Sequence, residues 1–429
     1  MLRKIRIAAA AFFFVLTTLL FLDFTGTLHA WFGWMAKIQF LPALLALNVG
    51  VVAFLVILTL LFGRVYCSVI CPLGVMQDIV SWASGKRRKH RNRFAYSPAL
   101  TWLRRGMLVV FVAAMLAGVG SLLAPYSAYG RIASNLLAPV YAWGNNLLAY
   151  IAGRMDSYAF YSVDVWMKSL STLLVAVVTF AVLFVLAWRS GRTYCNTICP
   201  VGTVLGFLAR YSLFKPRFDT SKCNGCKLCA RNCKASCIDP AAHKIDYSRC
   251  VACMDCLENC RQGAITYTLR RRNPDPAPAP QRPAADAAKT PSDASRRRFL
   301  GLAGIVAYSA LRAQEKKVDG GLAVIVDKKI PNRATPVVPP GAQSLRHFNA
   351  HCTGCQLCVS VCPNQVLRPS GKLMTLMQPE MSFERGYCRP ECTKCAEVCP
   401  TGAIRLTDLA GKSSIQIGHA VWIAENCVV

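Results

Sequence analysis

A chain of 429 residues is too long for one compact core, and 54% hydrophobic residues with a formal charge of +29 (50 basic minus 21 acidic) exclude an acidic, disordered chain. The charge does not read as nucleic-acid binding, because much of it flanks apolar runs, where it serves membrane topology and anionic headgroups. Twenty-two cysteines would suggest disulfides in a small secreted protein, but their spacing here is that of metal ligation.

In chain order, Ile7 to Leu22, Leu44 to Phe62, Met107 to Leu123 and Leu170 to Trp188 are uncharged for about the roughly 20 residues that span a bilayer, which predicts four transmembrane helices. A fifth apolar stretch, Ile132 to Ile151, is broken by Pro139, Gly144 and an Asn pair and reads as a surface or re-entrant element. Arg3, Lys4 and Arg6 precede the first run, and nine basic residues from Arg64 to Arg105 lie between the second and third. The opposite loops carry only Lys37, Arg131, Arg154 and Lys168. Basic residues favour the cytoplasmic side, so the N-terminus is expected there, in a multi-pass protein of the bacterial inner membrane.

The expected fold is therefore an α-helical membrane domain over 1–215 with four spans, the fifth stretch being a further candidate, plus two small α+β ferredoxin-like domains. The first of these covers 216–270 on the cytoplasmic side. A Pro/Ala-rich linker, 271–294, is too poor in large apolar side chains to fold. Then Ser295, Arg296, Arg297, Arg298, Phe299 and Leu300 give the S-R-R-x-F-L pattern of a twin-arginine export signal, with an apolar run to Leu311. Leu311 spoils the cleavage site, so 295–313 is expected to stay as an anchor, with a periplasmic ferredoxin-like domain over 314–429. Cys427 stands alone near the end and looks like the opening ligand of a further module, which implies a truncated chain.

Two stretches repeat one pattern. "GRVYCSVICPLG" begins at Gly63 and "GRTYCNTICPVG" at Gly191, each at the end of an apolar run. A C-x3-C spacing on a helix puts both sulfurs on one face about one turn apart, and Pro72 or Pro200 then restarts the backbone. Cys67, Cys71, Cys195 and Cys199 are thus candidate redox pairs, acting together as one site that binds a metal centre or cycles as dithiols, the alternative being a turn motif in which each Cys is a small buried residue.

The other cysteine runs are of ferredoxin type. Cys223, Cys226, Cys229 and Cys233 form C-x2-C-x2-C-x3-C, and Cys250, Cys253, Cys256 and Cys260 repeat it. Three thiolates two residues apart wrap one face of a cubane and the fourth ligand comes from the other run. Cys223, Cys226, Cys229 and Cys260 are then one 4Fe-4S set, and Cys233, Cys250, Cys253 and Cys256 its neighbour. In the second block Cys352, Cys355, Cys358 and Cys399 make the third set; Cys362, Cys388, Cys392 and Cys395 make the fourth, with a three-residue gap after Cys388. Zinc is disfavoured, because structural zinc knuckles need no third cysteine at that spacing. Lys234 and Arg261 stand where a proline is usual, and Cys237 reads as a buried bystander.

No C-x-x-C-H occurs and His29 is the only histidine beside a predicted span, so no haem is expected; nor is there a Walker A loop or a dinucleotide fingerprint. The chain reads as one that moves electrons without nucleotide chemistry.

With four spans, two C-x3-C-P motifs and a following ferredoxin pair, Met1 to Tyr267 resembles the membrane polyferredoxin subunit of quinol dehydrogenases that serve periplasmic nitrate reductase, and is similar to the membrane protein that supplies electrons to nitrous-oxide reductase. From Ser295 onward the chain resembles the twin-arginine-exported ferredoxin-type subunit that accompanies it, here fused. The resemblance implies passage of electrons from the quinol pool to a periplasmic reductase or carrier, with four 4Fe-4S clusters as cofactors and quinone as substrate. A diffusing quinol would bridge the roughly 30 Å of hydrocarbon between the two blocks. His29, Trp31, Trp34 and Lys37 are the candidate quinone contacts, the alternative for the tryptophans being an interface belt. Two other function classes stay open: a maturation factor that supplies electrons to a metal centre in a partner enzyme, and a thiol redox sensor.

Overall fold

The computed structural model describes residues 2–87, 94–118, 122–269, 335–372 and 375–417. The linker, the twin-arginine pattern and Cys427 lie outside the described residues.

Helix α1, Leu2–Leu22, opens the chain and buries only Ala10, Thr17, Leu20 and Phe21, so most of its apolar surface, Phe12 and Val15 included, faces outward. Three short helices follow, α2 (Thr27–Phe32), α3 (Trp34–Lys37) and α4 (Phe40–Leu45), then α5 (Val49–Phe62), α6 (Val65–Val69), α7 (Pro72–Arg87) and α8 (Thr101–Leu116). Helix α9, Pro125–Ile132, runs through one π-helical turn, Ala133–Leu137, into α10, Ala138–Arg154. Helix α11, Leu170–Ser190, is succeeded by α12 (Thr193–Thr197) and α13 (Pro200–Ala209).

Among the described residues two helices, α1 and α11, are long and apolar enough to cross a membrane, against the four or five expected. The second apolar run fails because its helix starts late. Leu47 adopts a positive φ of 52°, and Asn48 caps α5 by accepting a hydrogen bond from Val51 N at 3.2 Å, which leaves 14 helical residues, about 21 Å of rise. The third run is shifted the other way: α8 begins at Thr101, so it takes in Arg104 and Arg105, and ends at Leu116 before Gly118 at φ 76°. The fifth stretch, Ile132 to Ile151, falls on the end of α9, the π-helical turn and α10; α10 buries none of its residues, whereas α9 ahead of it is buried throughout.

The repeated motif folds twice in the same way. Gly63 at φ 74° ends α5 and Gly191 at φ 68° ends α11, a backbone turn that a side chain would strain. One short helix carries the first cysteine of each pair, and Pro72 or Pro200 begins the next helix, where its missing N–H costs nothing. Helix α7 packs on α11 and α9, and α13 packs on α5 and α8, so the two halves of the repeat enclose one interior.

The first ferredoxin block pairs β1, Phe214–Phe218, antiparallel with β4, Ile265–Leu269, in the register Phe214↔Leu269 to Phe218↔Ile265. Between them β2 (Ile238–Asp239) and β3 (Lys244–Ile245) form a two-residue ladder. The block has its own core around Ala230, Cys237, Ile238, Ile245 and Val251. The second block has β5 (Leu367–Pro369) antiparallel to β6 (Pro379–Met381), and its core, Phe348, Leu357, Val359 and Ile404 among others, is continuous with the helix bundle.

The two blocks sit at opposite ends of α1. Arg3 in its first turn pairs with Asp255 at 2.8 Å and with Glu258 of the first block. Beyond its last turn, Thr25 O accepts from Lys394 Nζ of the second block at 3.4 Å. Twenty-one helical residues rise about 30 Å, the thickness of a hydrocarbon core.

Candidate iron-sulfur centres and the paired cysteine motif

Each regular cysteine run turns at the same place. Lys227, Met254 and Gln356, between the second and third cysteines of their runs, adopt φ of 59°, 62° and 65° and open a short helix that carries the third cysteine. In the run with the longer gap the matching Thr393 stays at φ −110°. This turn folds the loop back so that thiols two residues apart face a common centre.

Cys223, Cys226, Cys229 and Cys260 line one hollow, with Phe218 and Ile265 as its apolar wall. Cys233, Cys250, Cys253 and Cys256 line a second, which Cys237 also borders. In the other block the Cys358 thiol feels those of Cys355, Cys352 and Cys399, and the Cys395 thiol feels those of Cys388, Cys362 and Cys392. Burial pushes Cys355 and Cys395 up to about 12, so these sulfurs ionise poorly unless a metal cation accompanies them. Four soft donors lining one hollow fit a 4Fe-4S cluster, which when bound supplies one-electron exchange. Among the described residues no three His, Cys, Asp or Glu side chains close on a single metal ion.

Cys237 is buried with its sulfur 3.5 Å from that of Cys233, a contact in which either thiol can donate, and it borders the same hollow. Such outer contacts orient ligand sulfurs and tune their basicity. The sequence offered only its spacing, four residues after Cys233.

The two C-x3-C pairs meet inside the bundle. Cys67, Cys71, Cys195 and Cys199 are each 5–6% exposed, and Cys199 feels the other three. Exposed thiolates suit redox sensing, so this burial speaks against the sensor reading. Around them the repeats exchange arginines. Arg64 Nη2 donates to Cys195 O at 3.1 Å, and Arg192 Nη1 donates to Cys67 O at 2.6 Å. Each guanidinium lies where the closing glycine of its partner motif leaves room: a Cβ on Gly74 would be 2.2 Å from Cys67 O and 2.8 Å from Arg192 Nη1, and one on Gly202 would be 2.2 Å from Cys195 O and 2.8 Å from Arg64 Nη2.

The site is tied to both blocks. Asp78 binds Arg192 at 2.8 Å, Arg6 at 2.9 Å and Lys234 at 3.6 Å, and Lys234 continues to Asp255 at 3.0 Å. Burial opposes charge on Asp78, but Arg192, Lys234 and Arg6 outweigh it and hold the carboxyl well below the usual range. On the other side Tyr194 donates to Leu123 O at 3.5 Å just before α9, and Gly130 of α9 presses on Cys355 O, which a Cβ would approach to 2.4 Å.

The expected quinone contacts do not converge. His29 is held by Asp23 at 3.2 Å, in a turn where the same carboxylate accepts from Thr25 N, Gly26 N and Leu28 N, while Trp31, Trp34 and Lys37 face outward. None of the four lines the large cavity of about 810 Å³ near the same end of α1. Phe21, Asn135, Tyr141, Trp166 and Lys168 line that cavity, and Cys362 of the fourth set forms part of its wall. Asn135 donates to Gln356 Oε1 at 2.9 Å and Trp166 to Gln365, so the second block closes one side.

The family described as 4Fe-4S binding domain matches residues 44–90 and 172–221, the two stretches that hold the C-x3-C pairs, and the 4Fe-4S dicluster domain matches 351–403. An uncharacterized protein of Methanocaldococcus jannaschii is 24% identical over 219 residues, which cover 51% of this chain and 70% of that one. The methylamine utilization ferredoxin-type protein MauN of Paracoccus denitrificans is 28% identical over 40% of this chain and 48% of its own. The ferredoxin-type protein NapH of Escherichia coli is 29% identical over 45% of this chain and 55% of its own. The chain thus spans about half the length of these two ferredoxin-type relatives. No solved structure matches it. The chain thus carries stretches that match 4Fe-4S binding domains and resembles ferredoxin-type proteins at modest identity.

Proposed function

We propose that the chain is a multi-pass membrane protein that passes electrons from the quinol pool to a periplasmic reductase or carrier, with its first ferredoxin block cytoplasmic and its second periplasmic. The observation that carries this reading is the placement of the two blocks at opposite ends of a membrane-length apolar helix. The basic residues around Arg3 and Arg6 lie at the first-block end, which favours the cytoplasm for that end. The sixteen cysteines of the four sets hold four 4Fe-4S clusters in this account.

The cavity beside Cys362 supports the quinol half of the proposal. Its aromatic and apolar lining with a few polar groups, and its volume of about 810 Å³, suit a flat amphiphilic ring, and typical small-molecule sites run to about 300–1,000 Å³. His29 serves the turn after α1 instead. Anaerobic addition of a short-chain quinol to the oxidised, detergent-solubilised protein is expected to bleach the iron-sulfur absorbance. Trp166→Ala, which opens the cavity wall, is expected to slow that bleaching about tenfold or more without loss of iron. Bleaching by dithionite but never by quinol would refute the donor assignment and leave a maturation factor fed by another reductant.

A further inference from the structure

The cavity that suits quinol opens beside Cys362 of the second block, so electrons bound from there to a periplasmic acceptor have no need of the first block. The first block nevertheless has a port of its own. Its two cysteine sets stand at different distances from the helix bundle. The set of Cys233, Cys250, Cys253 and Cys256 is the near one: Arg64 donates to Ser248 O at 3.2 Å, and Lys234, next to Cys233, reaches Asp78 at 3.6 Å. The set of Cys223, Cys226, Cys229 and Cys260 is the far one. At one end of β1, Phe214 stacks on Phe62 of α5 with ring centroids 5.6 Å apart; at the other end Phe218 walls the hollow that these four cysteines line. The strand between the two rings spans about 13 Å. Cys226 is the one exposed cysteine among the described residues, and Asn224, Gly225 and Lys227 beside it are exposed as well.

The rim of that hollow is basic. Lys227 lines it, Lys222, Arg231, Lys244 and Arg261 stand within two residues of others that do, and all five are exposed. Of the five, only Lys222 pairs with a carboxylate among the described residues, that of Asp219 at 3.5 Å. Asp239 turns its carboxylate onto Ala241 N and Ala242 N, and Glu258 is taken by Arg3. Topology and anionic headgroups account for basic residues next to a membrane bundle. They do not account for this rim, which stands a strand's length beyond the contact of Phe214 with the bundle.

We propose that the basic rim around Cys226 docks a small acidic electron-carrier protein, which delivers single electrons to the first cysteine set. Opposite charge steers such encounters toward the exposed sulfur, and small, transient interfaces are usual for redox partners. The transfer oxidises the carrier by one electron and reduces the first set by one, with no bond made and no proton moved. The inference rests on the reading of the first block as a cluster-bearing domain, and it gives that domain a source of electrons besides quinol.

The probe is an acidic plant-type 2Fe-2S ferredoxin, reduced beforehand and mixed anaerobically with the oxidised full chain in neutral detergent. Stopped-flow absorbance is expected to show a second-order rate that falls about tenfold or more between low and high salt. Changing Lys222, Arg231 and Lys244 together to Glu is expected to lower the low-salt rate about tenfold or more, with iron content and reduction by dithionite unchanged. Arg346→Glu, an exposed position in the second block, is expected to react as the parent does. A triple variant as fast as the parent, or a parent rate that ignores salt, would overturn the proposal. Should the triple variant lose iron, Lys244→Glu decides alone, with a smaller fall expected and an unchanged rate overturning. Weaker binding of the triple variant to anionic lipid vesicles, with its ferredoxin rate untouched, would assign the rim to headgroups instead. If changing Cys223 and Cys226 together to Ser left all the parent's iron and sulfide in place, the cluster reading of the first set would itself fall, a result separate from failed docking.

Discussion

Asp78→Asn is expected to destabilise the protein by about 3–5 kcal/mol, the range for removing one partner of a buried ion pair. The carboxylate holds Arg192 through both Nε at 2.9 Å and Nη2 at 2.8 Å, takes Arg6 from α1, and neutralises Lys234 of the first block. Asparagine keeps the size and one acceptor but leaves a fully buried guanidinium without an anion. Because the folded carboxyl lies below its ordinary value, its contribution is complete above about pH 4, the unfolded value, and fades as the pH falls further. Thermal unfolding in detergent, followed by tryptophan fluorescence, should show the loss at pH 7 and a smaller difference between parent and variant near pH 3. Limited proteolysis should cut near Lys234 first, since its tie to the bundle has gone. A change below about 1 kcal/mol would mean that the four-charge network is no more than a surface-like pair.

Gly74→Ala and Gly202→Ala are expected to cost about 3 kcal/mol each, the upper end for overpacking, and to do so alike. In both, the new methyl would meet a cysteine carbonyl at 2.2 Å and the guanidinium of the other motif at 2.8 Å, and neither backbone can withdraw without moving its cysteine pair. Gly144→Ala in α10 is the control, because its Cβ would meet nothing within 4 Å and alanine is the better helix former. Falls in melting temperature for the first two variants with none for the third would show that the glycines are contact positions. Equal behaviour of all three would mean that the arginine exchange is not made.

Much of this was legible because ligand spacing is a local property. The C-x2-C-x2-C-x3-C runs name their own sets, and the hollows are lined by the cysteines that the crossed spacing groups together. The repeat of G-R-x-Y-C-x-x-I-C-P-x-G was visible as well, but not why it needs its arginine and closing glycine. That reason lies in an exchange between Arg64 and Cys195, 131 positions apart in the chain. Span counting erred where hydropathy averages hide a single backbone event, the left-handed Leu47 before α5. Helix α9 shows the same limit from the other side: "PYSAYGRI" contains an arginine and three hydroxyls and is still buried throughout, because it is the layer between the cysteine pairs and the second block. The quinone contacts were placed by proximity to a predicted membrane edge, whereas His29 belongs to the Asp23 turn and the cavity is assembled from segments distant in sequence.

The claim that one chain links redox centres on two sides of a membrane is tested most directly in sealed vesicles of known orientation. The iron-sulfur centres are first reduced with quinol, then exposed to a membrane-impermeant oxidant outside. The account predicts rapid reoxidation when the second-block side faces out. It also predicts that replacing Arg296 and Arg297 by Lys, which disables the export pattern, abolishes that access. Reoxidation only from the side of Arg3 and Asp255, in parent and variant alike, would contradict the account and place both blocks on the same face.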